Sequence, residues 1–132
     1  MSPVFQIAVS GLTAQSTRVA VSAANVANFR SIGVRPEAGA NNSQAFVPQS
    51  VQQVSTAGGG VRAQTVPVSP PSVPVFDPNN PNADGEGIAF LPNVSLESEF
   101  VELLQASAAF EANLKVIQTQ DELLGTLVNI SS

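Results

Sequence analysis

The side chains here that could do chemistry are ten carboxylates, five cations and a scatter of Ser, Thr and Asn, because the 132 residues contain no His and no Cys. That removes the Ser-His and Cys-His nucleophile pairs, the commonest general base and the usual zinc ligands. One spacing imitates a ligand set: Asn80-x-Asn82-x-Asp84-Gly85 matches the opening of a calcium loop. The match breaks at Leu91, where a bidentate Glu is required, and no helix precedes it, so a polar turn is expected. Gly58-Gly59-Gly60 lacks the following Lys-Ser/Thr of a phosphate loop and reads as another turn. The expectation is therefore no catalytic residue, no cofactor, no metal and no enzyme activity.

What the chain does carry is two apolar heptad stripes, one at each end. The C-terminal stripe runs Leu96, Phe100, Leu103, Ser107, Phe110, Leu114, Ile117, Asp121, Leu124, Val128, and the N-terminal one Phe5, Val9, Leu12, Ser16, Val19, Ala23, Val26. A 3.5-residue repeat sustained this long makes a narrow seam for partner helices, not the wider face of a globular helix. Two such helices could close on each other as an intramolecular hairpin. Their lengths are unequal, however, and an overhang would expose Phe110 or the Leu123-Leu124 region unless another subunit covered it.

The elements that position these stripes follow from punctuation. Residues 3 to 28 read as a helix, with Pro3 suited to a first helical position and Asn25, Asn28 and Gly33 as a fraying end that tolerates left-handed backbone. Between 31 and 92 lie nine of the ten prolines and seven of the nine glycines, which excludes a long helix. Within that stretch Ala45 to Val54 and Val61 to Val68 read as a loose hairpin turning at the triple glycine, and Ser69 to Gly87 as an extended, turn-rich segment. Ser95 then caps a helix that runs to about Ile130, with Glu97 and Glu99 at the favourable end of its dipole. The organisation expected is 1–30 and 95–132 as terminal helices flanking an irregular 31–94. The fold class is mainly α, with the helices forming an antiparallel coiled coil and one small β-hairpin in the middle. Asn113 is either exposed or bridges to a neighbouring helix.

Charge supports pairing of the two ends. Residues 1 to 36 carry Arg18, Arg30 and Arg35 and no acid, whereas 95 to 132 carry six acids against Lys115 alone. Exposed pairs contribute about 0–1 kcal/mol each, so they would set register more than stability. A net charge of −5 with only five basic residues argues against nucleic acid as a partner. No apolar run is long enough for a spanning helix, and the first residues lack the basic region of a cleavable secretory signal, so any export is expected by another route.

Ser10 to Arg18, SGLTAQSTR, continuing to Ala24-Asn25-Val26-Ala27-Asn28, resembles the N-terminal signature of bacterial flagellar rod, hook and related axial proteins. FEANLKVI from Phe110 and DELLGTL from Asp121 are similar to the C-terminal signature of the same superfamily. Short length and the segment Phe76 to Asp84, with Gly87 and Pro92-Asn93-Val94, resemble the FlgC-type proximal rod proteins. Two departures are Val34, where an aromatic is usual, and a C-terminal ending closer to the distal-rod pattern. The motif positions carried over are Gly11, Gln15, Arg18, Asn25, Asn28, Glu111 and Asn113.

The resemblance implies a structural subunit of the periplasmic rod of the flagellar basal body, exported by the flagellar type III apparatus without a cleaved signal. It implies as partners other copies, related rod proteins, and MS-ring and rod-base proteins. Terminal helices would form the axial tube that transmits torque, with Leu12, Val19, Val26, Phe100, Leu103, Phe110, Leu114, Ile117, Leu124 and Val128 as assembly residues. The competing expectations are a distal-rod-like axial protein, or an export adaptor using its C-terminal helix in a groove.

Overall fold

The computed structural model describes residues 3–35 and 44–130, the last three as backbone only. Helix α1 spans Pro3–Asn28, and strands β1 (Gln49–Ser55), β2 (Val61–Pro67), β3 (Ser72–Phe76) and β4 (Ile88–Pro92) follow before helix α2, Leu96–Ile130. The helix bounds agree with those expected. Ser95 does cap α2: its Oγ accepts from the Ser98 N–H at 3.4 Å and donates to Glu97 at 3.1 Å. The end of α1 is closed differently from the expectation, because no described residue other than glycine has a positive φ. Asn28 stays helical and donates from its side chain to the Ala24 carbonyl at 2.9 Å, while Asn25 lies inside the helix as a buried junction residue.

Strands β1 and β2 pair antiparallel from Gln49↔Pro67 to Ser55↔Val61, the hairpin expected across the triple glycine. The turn at Gly58–Gly60 needs glycine, since Gly59 and Gly60 have φ of 83° and 91°. The segment Ser69 to Gly87 is not simply extended: it supplies β3, which pairs with β4 to make a second hairpin. Prolines at 70, 71 and 74 hide this strand from a pattern reading. A two-stranded sheet is all edge, so a strand proline forfeits no interior ladder bond there. Gly33 extends the sheet by exchanging both backbone hydrogen bonds with Phe90 at 3.0 Å.

Hairpin β1–β2 lies along α1. Its base is held at Asn25 and its tip at Ser10, whose Oγ accepts from the Val61 N–H at 3.1 Å. The 15 helical residues between these pins rise about 22 Å, and six steps of strand span about 20 Å, so hairpin and helix match in length.

The interior is made of small side chains. Among the described residues the buried apolar side chains are Ala8, Ala14, Ala45, Ala89 and Ala106 with Pro48 and Pro92, and the buried polar ones Gln15, Ser22 and Asn25. Every large aliphatic or aromatic side chain among the described residues retains some exposure. The helices thus approach closely without an apolar core of ordinary size, and directional contacts must fix their register.

Candidate assembly interface

Burial along α1 follows a heptad rhythm: Ala8, Gly11, Gln15, Ser22 and Asn25 are buried, with half-buried Arg18 filling the series. Each of these positions is one residue before a member of the apolar stripe. The period read from sequence is right, but the stripe that closes the monomer is the polar and small one. One residue is about 100° of helix, so Val9, Leu12, Val19 and Val26 are turned aside. The same offset holds on α2, where Ala106 is fully buried and Glu99, Glu102, Ala109 and Asn113 are half-buried.

Three contacts knit the polar seam. In the middle of the seam the Arg18 guanidinium donates from Nε and Nη2 to both oxygens of Glu102, at 2.5 and 2.8 Å, and from Nη1 to Gln15 Oε1 at 2.8 Å. This planar fork fixes orientation as well as distance. The hydrogen bond from Arg18 holds the Glu102 carboxyl below its ordinary range, and Glu102 raises Arg18 in turn. At one end the Asn25 amide joins three elements: Nδ2 donates to the Gln49 carbonyl at 2.7 Å and to Glu99 Oε1 at 2.8 Å, and Oδ1 accepts from the Gln49 N–H at 3.1 Å. A side chain thereby pairs with both polar groups of a strand residue, as a neighbouring strand would. At the other end Gly11 gives Asn113 room, since a Cβ at Gly11 would come within 2.7 Å of Asn113 Oδ1. The Asn113 amide donates to Ala109 O of its own helix at 2.8 Å. Partners descend along α2 as they ascend along α1.

The motif positions Gly11, Gln15, Arg18, Asn25 and Asn113 thus converge on this seam, while Asn28 closes its own helix and Glu111 is exposed. Of the apolar stripes, Leu12, Val19, Val26, Leu103, Phe110 and Ile117 are half-buried. Phe100 (53%), Leu114 (38%) and Leu124 (48%) are exposed, as are Leu104, Leu123 and Leu127 off the stripe. The Val128 side chain lies outside the described residues. At 35 residues against 26, α2 runs past the start of α1, which leaves Leu123 and Leu124 uncovered as expected, whereas Phe110 is partly covered.

Sequence reasoning did not single out Gln49, Ser10, Ser22, Glu99 or Glu102 for these roles. The charge asymmetry of the two ends was the available signal for Arg18–Glu102. Arg30 and Arg35 instead stand over the Phe29 and Phe90 rings, at 5.4 and 5.6 Å. In the calcium-like spacing, Asn80 Oδ1 accepts from the Asn82 N–H and Asp84 Oδ1 from the Glu86 and Ile88 N–H groups. Those oxygens brace a turn. No described helix is long and apolar enough to cross a membrane.

Both ends of the chain match known families. Residues 5–29 match the family described as flagella basal body rod protein, and residues 91–130 the flagellar basal body rod FlgEFG protein C-terminal family. The flagellar basal-body rod protein FlgC of Yersinia enterocolitica is 38% identical over 122 residues, covering 92% of this chain and 90% of that protein. FlgC of Escherichia coli O157:H7 is 35% identical with the same coverage. That of Agrobacterium fabrum strain C58 is 30% identical over 131 residues, covering 98% and 94%. With matches at both helices and relatives aligned across nearly the whole chain, the protein belongs to the flagellar basal-body rod protein family, of the FlgC type.

Proposed function

We propose that this chain is a structural subunit of the flagellar rod whose outward apolar stripe is its contact with neighbouring subunits. The observation that carries this is the exposure of Phe100, Leu114 and Leu124 on a helix whose inner face is already closed by polar contacts. Each such side chain, fully covered, contributes about 1.5–3 kcal/mol, so assembly supplies the burial that the monomer lacks. In this reading α1 and α2 form an antiparallel coiled coil in the wall of the proximal rod, with the two hairpins reaching between subunits. The role is passive: a stiff tube carries torque, and no step requires a reacting group. The subunit crosses to the periplasm through the flagellar type III apparatus without a cleaved signal. It meets other copies, related rod proteins and the proteins at the rod base and MS ring.

The test is incorporation into basal bodies. Phe100→Asp and Leu124→Asp alter exposed positions, so the free subunit should keep its fold by circular dichroism and urea titration while rods and motility are lost. Normal rods from both variants would defeat the proposal. The C-terminal match to the FlgEFG family favours one second reading, a more distal axial position. Localising the chain in an intact basal body separates the two.

A further inference from the structure

The charges that the fold leaves over sit on two elements and have opposite signs. From Gln44 to Phe76 the one charged residue is Arg62, exposed on β2. From Val116 to Ser132 the charged residues are Asp121 and Glu122, at the start of a stretch to Leu127 in which every residue is exposed. Among the described residues, neither Arg62 nor Asp121 nor Glu122 has a side-chain partner. Most other charges are engaged: Glu102 holds Arg18, Glu99 takes the Asn25 amide, Glu97 the Ser95 hydroxyl, and Arg30 and Arg35 stand over rings. Lys115 follows Glu111 by one helical turn, where the two offset each other. Glu86 is a single acid in a turn whose neighbour Asp84 is spent on backbone N–H groups.

Arg62 lies at a groove of about 300 Å³ between α1 and the hairpin, walled by Ser10, Thr13, Thr17 and Thr56. Each of those hydroxyls already donates its proton to a backbone carbonyl. An inorganic oxyanion, which needs several donors, would find only the guanidinium there; a carboxylate carried by a partner needs no more. Across the strand pair Arg62 faces Val54, which is exposed. Such cross-strand neighbours stand about 5 Å apart, and so do residues three apart on a helix, as Asp121 and exposed Leu124 are. Both surfaces thus present one charge and one aliphatic side chain at the same spacing, with the signs reversed. They do not meet within one chain. Arg62 lies level with Ser10 and Thr13, which flank Gly11, and Gly11 faces Asn113; Asp121 is eight residues farther, about 12 Å along α2.

We propose that the hairpin surface at Arg62 and Val54 is a docking site for the overhanging end of α2 from a second copy of this chain, with Asp121 and Glu122 on the guanidinium and Leu124 on Val54. This rests on the rod-subunit reading and names one contact within it. Because the site and the group it receives are different surfaces, the contact is head-to-tail and repeats from copy to copy. The charges select the partner and the register, since a like charge placed there is repelled.

The chain has no Cys, so introduced thiols report the contact in assembled basal bodies. Gln64→Cys and Gln118→Cys lie beside the contact and leave its charges in place. Basal bodies carrying both changes in one chain, treated with a bismaleimide, should yield multimers of this chain, and either change alone should not. Adding Arg62→Glu, or Asp121→Arg with Glu122→Arg, should lower the multimer yield at least tenfold and impair motility. All three reversals together should restore both, and Glu86→Arg should alter neither. Monomer alone in basal bodies that contain the chain, cross-linking to a different rod protein, or reversals that behave as wild type would each overturn the docking and leave the rod-subunit reading standing. Absence of the unmodified chain from basal bodies would defeat that reading, and the docking with it.

Discussion

The helix pair carries two heptad stripes about 100° apart, made of opposite materials. The inner one is Ala, Gly, Gln, Arg, Glu, Ser and Asn and is buried or half-buried; the adjacent one is mostly Leu, Val, Ile and Phe and is half open to solvent. Apolar burial is strong but non-directional, whereas hydrogen bonds are weak in net energy and exacting in geometry. A monomer closed by the first stripe has one register, because a slip would part Asn25 from Glu99 and Arg18 from Glu102. The second stripe is left for contacts that form only when subunits meet. Register and adhesion are thus assigned to different faces of the same helices.

Substitutions that treat the faces unequally sharpen this contrast. The largest effect on the free subunit is expected from Asn25→Leu, which strands the Gln49 N–H and C=O and one oxygen of Glu99 at a buried site. It should cost roughly 3 kcal/mol in urea unfolding. A cost near zero would mean that the junction does not set the fold. Gly11→Val should come next, at about 2 kcal/mol, because its side chain meets Asn113. Asn113→Ala in the same chain should recover part of that loss, and strictly additive costs would show that the two do not touch.

Arg18→Ala should cost about 1 kcal/mol, since its partner is part-exposed. The difference from wild type should shrink as pH falls from 4.5 through the lowered Glu102 value, where the carboxyl takes up its proton even beside Arg18. A penalty that persists at pH 3 would assign Arg18 a packing role instead. The smallest effect belongs to the outer stripe: Phe100→Ser should leave the free subunit within about 0.5 kcal/mol of wild type. A larger loss would place Phe100 in the monomer core and erase the contrast between faces.

Much of this was legible in the sequence. The helices and the first hairpin follow from the heptad period, the cap at Ser95 and the triple glycine, which are local signals. The second hairpin was hidden because Pro70 and Pro71 precede its first strand and Pro74 lies within it, which an edge strand tolerates but a pattern reading takes for a break. The phase of the seam was hidden for another reason. Hydrophobicity says which side chains seek burial, but Gly11, Gln15, Ser22 and Asn25 are buried because α2 and β1 offer them partners across long sequence separations. Gln49 contributes backbone atoms to the junction, so its side-chain identity leaves no trace of that role.

The contrast between faces is tested most directly by thiol accessibility in free and assembled protein. Single Cys residues at Phe100 and Leu124, with Gln53 on the exposed hairpin surface as a reference, would be labelled in the free subunit and in purified basal bodies. Strong protection of positions 100 and 124 on assembly, with equal reactivity to the reference beforehand, is the predicted result. Reactivity at both positions that is unchanged in the rod would contradict the assignment of the outer stripe to subunit contact.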